Sequence, residues 1–281
     1  VAIDIEALDQ EIRETSSAML RLIALSALLL ASPVASDETE SLELSGQVDG
    51  TRWTETLRSQ AGGAWESITN DPFTAALADG TLRNSTLGLY LVQDHRFLDA
   101  FIVLLASMIS APALTLADKL PGARFLGLIA SRENTYFERS FAAIGLTPEQ
   151  IGAPDEPETT TFIKLMHTAA ESGNVGSMLA VLVVCEWSYE TWGERVVEAP
   201  NLPFTHLEWI DLHRGKEFGS VVSYLRTLLD RVGTEQTEPK KLLTKFFFNQ
   251  AVKCEQDFWD MARRLQNEQD ETNQQNAAAE L

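Results

Sequence analysis

Met178-Leu179-Ala180-Val181-Leu182-Val183-Val184 runs without a break into Cys185-Glu186-Trp187-Ser188-Tyr189. The first seven residues are apolar on every face of a helix, and a helix without a polar face belongs inside a protein. The second group then brings a thiol, a carboxylate and a phenol onto one turn of that buried helix. Cys185 and Tyr189 are four apart and share a face. A polar group removed from water must find a partner or it costs about 1–3 kcal/mol. The pair therefore reads as a satisfied core contact or as the floor of a small polar pocket.

Outward from this helix the pattern stays helical. Trp53 and Leu57, then Trp65 and Ile68, have helical spacing, and Asp71-Pro72-Phe73 has a cap residue followed by proline at the first turn. Asp79-Gly80-Thr81-Leu82 reads as a turn, after which Ser85 is expected to cap a helix from Leu87 to about Ser110. Pro112 and Pro121-Gly122 bracket a connection, and about Arg124 to Ile144 is amphipathic, ending at Gly145. Further helices are expected at about 159–172, 175–198, 204–213, 215–232 and 239–265, with breaks at Gly173, Pro200 to Pro203, Gly215 and Gly233-Thr234. Alternating runs rich in β-branched residues are absent, and so is any fixed repeat. The fold class is all-α, a helical bundle.

The 281 residues divide into three parts, with a helical domain over 51–265 between an N-terminal extension and linker (1–50) and an acidic polar tail (266–281). Net charge is −19, and 12 of those excess negatives lie in the two ends, which leaves a mildly acidic domain between solvated segments. This balance argues against nucleic-acid or anionic-membrane partners. Residues 19–35, a mostly apolar run from Leu22 to Ala31 followed by Ser32-Pro33-Val34-Ala35-Ser36, have the form of a secretory signal, although an acidic segment precedes them. The run is too short to span a bilayer. The plainer reading is an amphipathic or frayed helix over about 5–31. With two cysteines, Cys185 and Cys254, there is no disulfide framework, which suits a reducing, cytoplasmic setting; secretion through 19–35 is the alternative.

No glycine-rich phosphate loop occurs, and the four histidines, His95, His167, His206 and His213, form no metal-binding spacing. Neither metal nor cofactor is expected. Asp94 sits mid-helix in Leu89-Tyr90-Leu91-Val92-Gln93-Asp94, one turn after Tyr90, and is either solvent-facing beside Arg96 or turned into a pocket. Glu255, four after Ala251 on a face marked by Phe247 and Phe248, poses the same question.

Taken in order, Asp71-Pro72-Phe73, Asp79-Gly80-Thr81-Leu82, Tyr90 to Asp94, Ser172-Gly173-Asn174, Cys185-x-Trp187-x-Tyr189, Trp209-Ile210 and Glu255-x-x-Phe258-Trp259 resemble the TenA (thiaminase II) family over about residues 52–265. The resemblance implies a haem-oxygenase-like all-α fold and, for the cysteine-bearing branch, hydrolysis of aminopyrimidine breakdown products of thiamin. It implies Cys185 as nucleophile, Glu255 as acid/base, Asp94 as the group that anchors the pyrimidine, and Tyr189 as a pocket tyrosine. It also implies a homo-oligomer, tetramer or dimer, with a small heteroaromatic substrate as partner. Three positions depart from the family pattern: Phe97, Phe162 and His213 stand where tyrosines are usual. Lost phenols mean lost hydrogen-bond donors, so the expected ligand is more apolar than the usual pyrimidine. The alternatives are a divergent member that binds a heteroaromatic ligand without turnover, and a cofactor-free or haem-type oxidase on the same fold.

Overall fold

The computed structural model describes residues 52–279. The stretch 5–31, the signal-like segment 19–35 and the linker expected over 36–50 lie outside the described residues. Within them the chain forms α1 (Trp53–Ala61), α2 (Gly63–Thr69), α3 (Pro72–Asp79), α4 (Asn84–Ser110), α5 (Leu116–Leu128), a π turn (Ile129–Glu133), α6 (Asn134–Ile144), α7 (Pro148–Ile151), α8 (Pro157–Glu171), α9 (Val175–Arg195), α10 (Phe204–Leu212), α11 (Gly215–Glu235) and α12 (Glu238–Ala279). No strand occurs among the described residues.

The apolar helix is α9, and it is the axis of the bundle. It packs against α12, α11, α4 and α8 at once. From Val175 to Tyr189 every residue is buried except Glu186. Its start is fixed by the Ser172-Gly173-Asn174 corner. Gly173 takes a left-handed backbone (φ 62°), and the Asn174 side chain caps the helix by accepting from the Gly176 N–H at 3.3 Å. Asp71 caps α3 in the same way, accepting from the Phe73 N–H at 2.9 Å, while its other oxygen pairs with Arg263 of α12. The Trp259 indole N–H reaches the Ile68 carbonyl at 3.1 Å, tying α12 to α2.

The long helix α4 is held to the segment before α8 by one buried amide. Gln93 Oε1 accepts from the Glu156 N–H (3.0 Å) and the Thr159 hydroxyl (2.8 Å), and its Nε2 donates to the Pro154 carbonyl (3.3 Å). This fixes the rotation of α4 about its axis and hence the direction of the next residue, Asp94.

Several local expectations are corrected. The α4 helix starts at Asn84 with Arg83 at the cap position, so Ser85 lies inside it and caps nothing. Between Ala111 and Ile144 the connection is shorter than expected. Thr115 and Asp118 form a reciprocal capping box, and Pro121 is accommodated within α5. The expected helix from Arg124 to Ile144 is interrupted by the π turn at Ile129–Glu133. The short α7, capped by Thr147 and Gln150, lies between Gly145 and residue 159, where no helix was expected.

Gly233 does not end its helix but lies within it. A Cβ there would come 1.9 Å from Cε3 of Trp53, so the glycine admits that ring against α11. Finally, α12 runs beyond 265 to Ala279, because the Gln-, Glu- and Asn-rich continuation contains no glycine or proline to stop it.

Candidate active site

Side chains from α4, the end of α5, the π turn, α8, α9, the end of α10, α11 and α12 line a cavity of about 270 Å³. Asp94, Phe97, Phe162, Cys185, Tyr189, His213 and Glu255, the seven residues singled out from the sequence, all line it. The arrangement follows from register: 94 and 97 share a face of α4, 185 and 189 a face of α9, and 255 and 258 a face of α12. Asp94 therefore takes the pocket-facing orientation. It is 9 % exposed, and Glu255 is 2 % exposed.

The floor joins a thiol to two carboxyl groups. Burial pushes the Cys185 thiol well above its ordinary range, and the charges of Glu255 and Glu186 push it further. Burial raises the Glu255 carboxyl to about 8, opposed by its contact with the Cys185 thiol. Burial also raises Asp94 well above the carboxylate range, with Glu133 and Glu255 adding to the effect. The Asp94 carboxyl group accepts no hydrogen bond from any side chain or backbone group among the described residues, although its backbone lies within α4. A buried carboxyl with an open face toward a cavity is placed for a ligand rather than for the fold.

Aromatic side chains make the walls. Phe97 meets Phe162 edge-on with ring centroids 4.8 Å apart, and Phe258 closes against both at 6.3 and 6.5 Å. Tyr189 is held from behind: its hydroxyl lies 2.5 Å from that of Tyr90, which is itself buried against Trp259. His213 faces Tyr189 at 4.8 Å. Its Nδ1–H donates to the Trp209 carbonyl at 2.7 Å, and burial lowers the imidazole to about 4, so the ring is neutral and Nε2 is left as an acceptor. The approach of His213 depends on Gly193 of α9, where a Cβ would lie 2.4 Å from the His213 carbonyl oxygen.

Four further carboxyl groups that the sequence did not single out as site residues line the cavity, Glu133, Glu186, Asp211 and Glu217, of which the first two are half-buried and have no ion-pair partner among the described residues. Glu186 is adjacent to the thiol, and Glu133 comes from the π turn. The signal for Glu186 was present, an acid beside a cysteine on an otherwise apolar helix. For Glu133 there was none, because a π turn adds a residue to the helical repeat and breaks the periodicity from which facing is read.

Fold and site together define an all-α protein built around an acidic, aromatic-walled cavity with one thiol in its floor. Its sequence matches the TENA/THI-4/PQQC family over residues 58–265, and the chain belongs to that family. It is 26% identical over 213 residues to the aminopyrimidine aminohydrolase of Halalkalibacterium halodurans, spanning 73% of this chain and 93% of that protein. A TenA homologue from Pyrococcus furiosus superposes with a TM-score of 0.68 at 18% identity, covering 75% of this chain and 99% of that one. A domain with a haem-oxygenase-like fold from Shewanella denitrificans superposes with a TM-score of 0.54 at 16% identity, covering 76% and 93%. The fold is the haem-oxygenase-like bundle of TenA proteins.

Proposed function

We propose that the protein hydrolyses a carbon–nitrogen bond of an aminopyrimidine or a closely related heteroaromatic amine, with Cys185 as nucleophile, Glu255 as acid/base and Asp94 as anchor. The observation that carries this reading is the convergence of a thiol and two buried carboxyl groups on one aromatic-walled cavity. The activity named for the Halalkalibacterium relative agrees with it.

A neutral Asp94 carboxyl offers one O–H donor and one C=O acceptor. Those two groups match the ring nitrogen and exocyclic amine of an aminopyrimidine edge. With the ring held there, the Cys185 sulfur adds to an electron-poor ring carbon and its proton passes to Glu255. Glu255 then protonates the departing amine. Water adds where the amine left, giving up a proton to Glu255, and the sulfur leaves the ring as the thiol re-forms. Covalent addition splits one difficult displacement into two easier steps. A carboxyl raised to about 8 is matched to giving and taking a proton near neutrality.

A second reading, a binding protein without turnover, is favoured by the three positions that lack phenols, Phe97, Phe162 and His213. Amine release from a panel of 4-aminopyrimidines separates the two. The hydrolase reading expects release that disappears in Cys185→Ser; full activity in that variant removes the covalent role. Ligand-induced thermal stabilisation with no product from wild-type protein favours the binding reading.

A further inference from the structure

Resting on that reading, we propose that the ligand extends past the ring toward the cavity mouth and carries there a cationic amino group, held between Glu133 and Glu186.

Exposure grades along the cavity. Asp94, Cys185 and Glu255 are buried at the floor, Glu133 and Glu186 are half-buried, and Arg132 and Lys216 are exposed at the rim. The two half-buried carboxyl groups thus line the space a substituent must cross between floor and mouth. That space exists: about 150 Å³ is enough for a benzene-sized ring, and this cavity holds about 270 Å³.

At this depth the unpaired charge is acidic, and of the cations lining the cavity only Lys216, exposed at the rim, has no ion pair among the described residues. Neither Glu133 nor Glu186 has a cation partner among the described residues. The arginines near the mouth are engaged elsewhere, Arg132 with Glu217, and Arg214 with Glu198 and Asp211. His213, Cys185 and Tyr189 are neutral in this setting. Burial pushes Glu186 well up, and Glu133, Glu255 and Asp94 push it further; burial alone takes Glu133 to about 7. Neighbouring carboxyl groups add to the effect of burial at Asp94 and Glu186, and one positive charge placed among them relieves both. Among the described residues, no three His, Cys, Asp or Glu side chains converge closely enough to hold a metal ion. An organic cation fits the space and the aromatic walls. The unpartnered Asp94 carboxyl at the floor is the independent sign that the cavity takes a ligand.

The test uses 4-aminopyrimidines bearing at C5 a methylene amide whose acyl tail ends in an ammonium, a hydroxyl or a carboxylate. Dissociation constants are measured by calorimetry with Cys185→Ser protein, which prevents turnover. The ammonium compound is expected to bind at least about tenfold more tightly than the hydroxyl compound, and the carboxylate at least about tenfold more weakly. Adding Glu133→Gln and Glu186→Gln should bring all three within about threefold while leaving the hydroxyl compound's affinity unchanged. Equal binding of ammonium and hydroxyl compounds, or a preference that survives the double change, overturns the proposal. If the double variant does not fold, each single variant should lose part of the preference, and full retention in both overturns it equally. Should none of the three compounds bind, the heteroaromatic-amine reading of the floor fails and takes this one with it. Should the hydroxyl compound bind and charge make no difference, only the present proposal falls.

Discussion

The start and the middle of α9 gather buried polar groups and treat them in opposite ways. At its start, Asn174, Ser177 and Thr244 are all buried and all partnered. Asn174 Nδ2 donates to the Ser177 hydroxyl at 2.8 Å, its Oδ1 accepts from Gln236 Nε2 at 2.8 Å, and the Thr244 hydroxyl donates to Gln236 Oε1 at 3.0 Å. About three turns further along, Cys185 contacts Glu255 and shares a cavity with Asp94, and both carboxyl groups are buried with open sides toward that cavity. Buried polar groups that are satisfied hold a fold together, while those left open cost it stability. The first cluster is therefore there for folding and the second for a ligand. Substitutions in the two clusters should move different observables.

The largest effect is expected at Glu255. Glu255→Gln should lower turnover about 100-fold or more, the range that general acid–base catalysis contributes. It should also change how stability depends on pH. The folded-state carboxyl is raised from its ordinary 4.5 to about 8, so its contribution is fully present below the lower value and is lost as pH rises through the upper one. Denaturation midpoints at pH 5 and pH 9 should differ more for wild-type protein than for the glutamine variant. An identical pH dependence in both would mean that Glu255 is not the strained group described here.

A paired comparison sharpens the contrast. Asp94→Asn should weaken aminopyrimidine binding by at least about tenfold with no loss of stability, since it removes a buried acid that nothing in the protein satisfies. Asn174→Ala should do the reverse, lowering stability by about 1–3 kcal/mol through a lost cap and an orphaned Gln236 amide, with KM unchanged. Chemical denaturation and steady-state kinetics on both proteins decide the matter. Equal destabilisation by the two would collapse the distinction between the clusters.

Gly193 tests how the site depends on packing. Its missing Cβ leaves room for the His213 backbone, so Gly193→Ala should cost about 1–3 kcal/mol and push His213 out of the wall. No loss in the single variant would show that the joint between α10 and α11 yields freely.

A sequence displays some of these causes and hides others. The helix through Cys185 was legible because an all-apolar run has one physical destination, the interior. The Asp71 cap was legible because the capping side chain lies only two residues from the N–H it satisfies. Asp94 and Glu255 were legible only as alternatives. Spacing places a residue on a face, but it does not say whether that face meets solvent, core or cavity. Glu133 was illegible because the π turn shifts the register that locates it, and Gly233 misled because the ring filling its notch, Trp53, is far away in sequence. Local rules expose local causes. A cavity wall is assembled from many elements, and its back side belongs to none of them.

The smallest expected effect bears on what the cavity accepts. Phe97 lies three residues after Asp94 on the same face and is half-buried among Phe101, Phe162 and Phe258. A phenol introduced by Phe97→Tyr would put one hydroxyl on an apolar stretch of wall near the anchoring carboxyl. If the ligand presents a polar edge there, the hydroxyl gains one hydrogen bond, worth about 0.5–1.5 kcal/mol, and affinity for a plain 4-aminopyrimidine rises by up to about tenfold. If the ligand presents carbon there, the hydroxyl is buried without a partner and affinity falls by a similar factor. The cavity read here, with an apolar wall opposite an acidic one, expects a rise for the plain aminopyrimidine and a fall for an analogue carrying a methyl group at the ring position facing residue 97. A rise for both would mean that this wall is not where the ligand's apolar side rests.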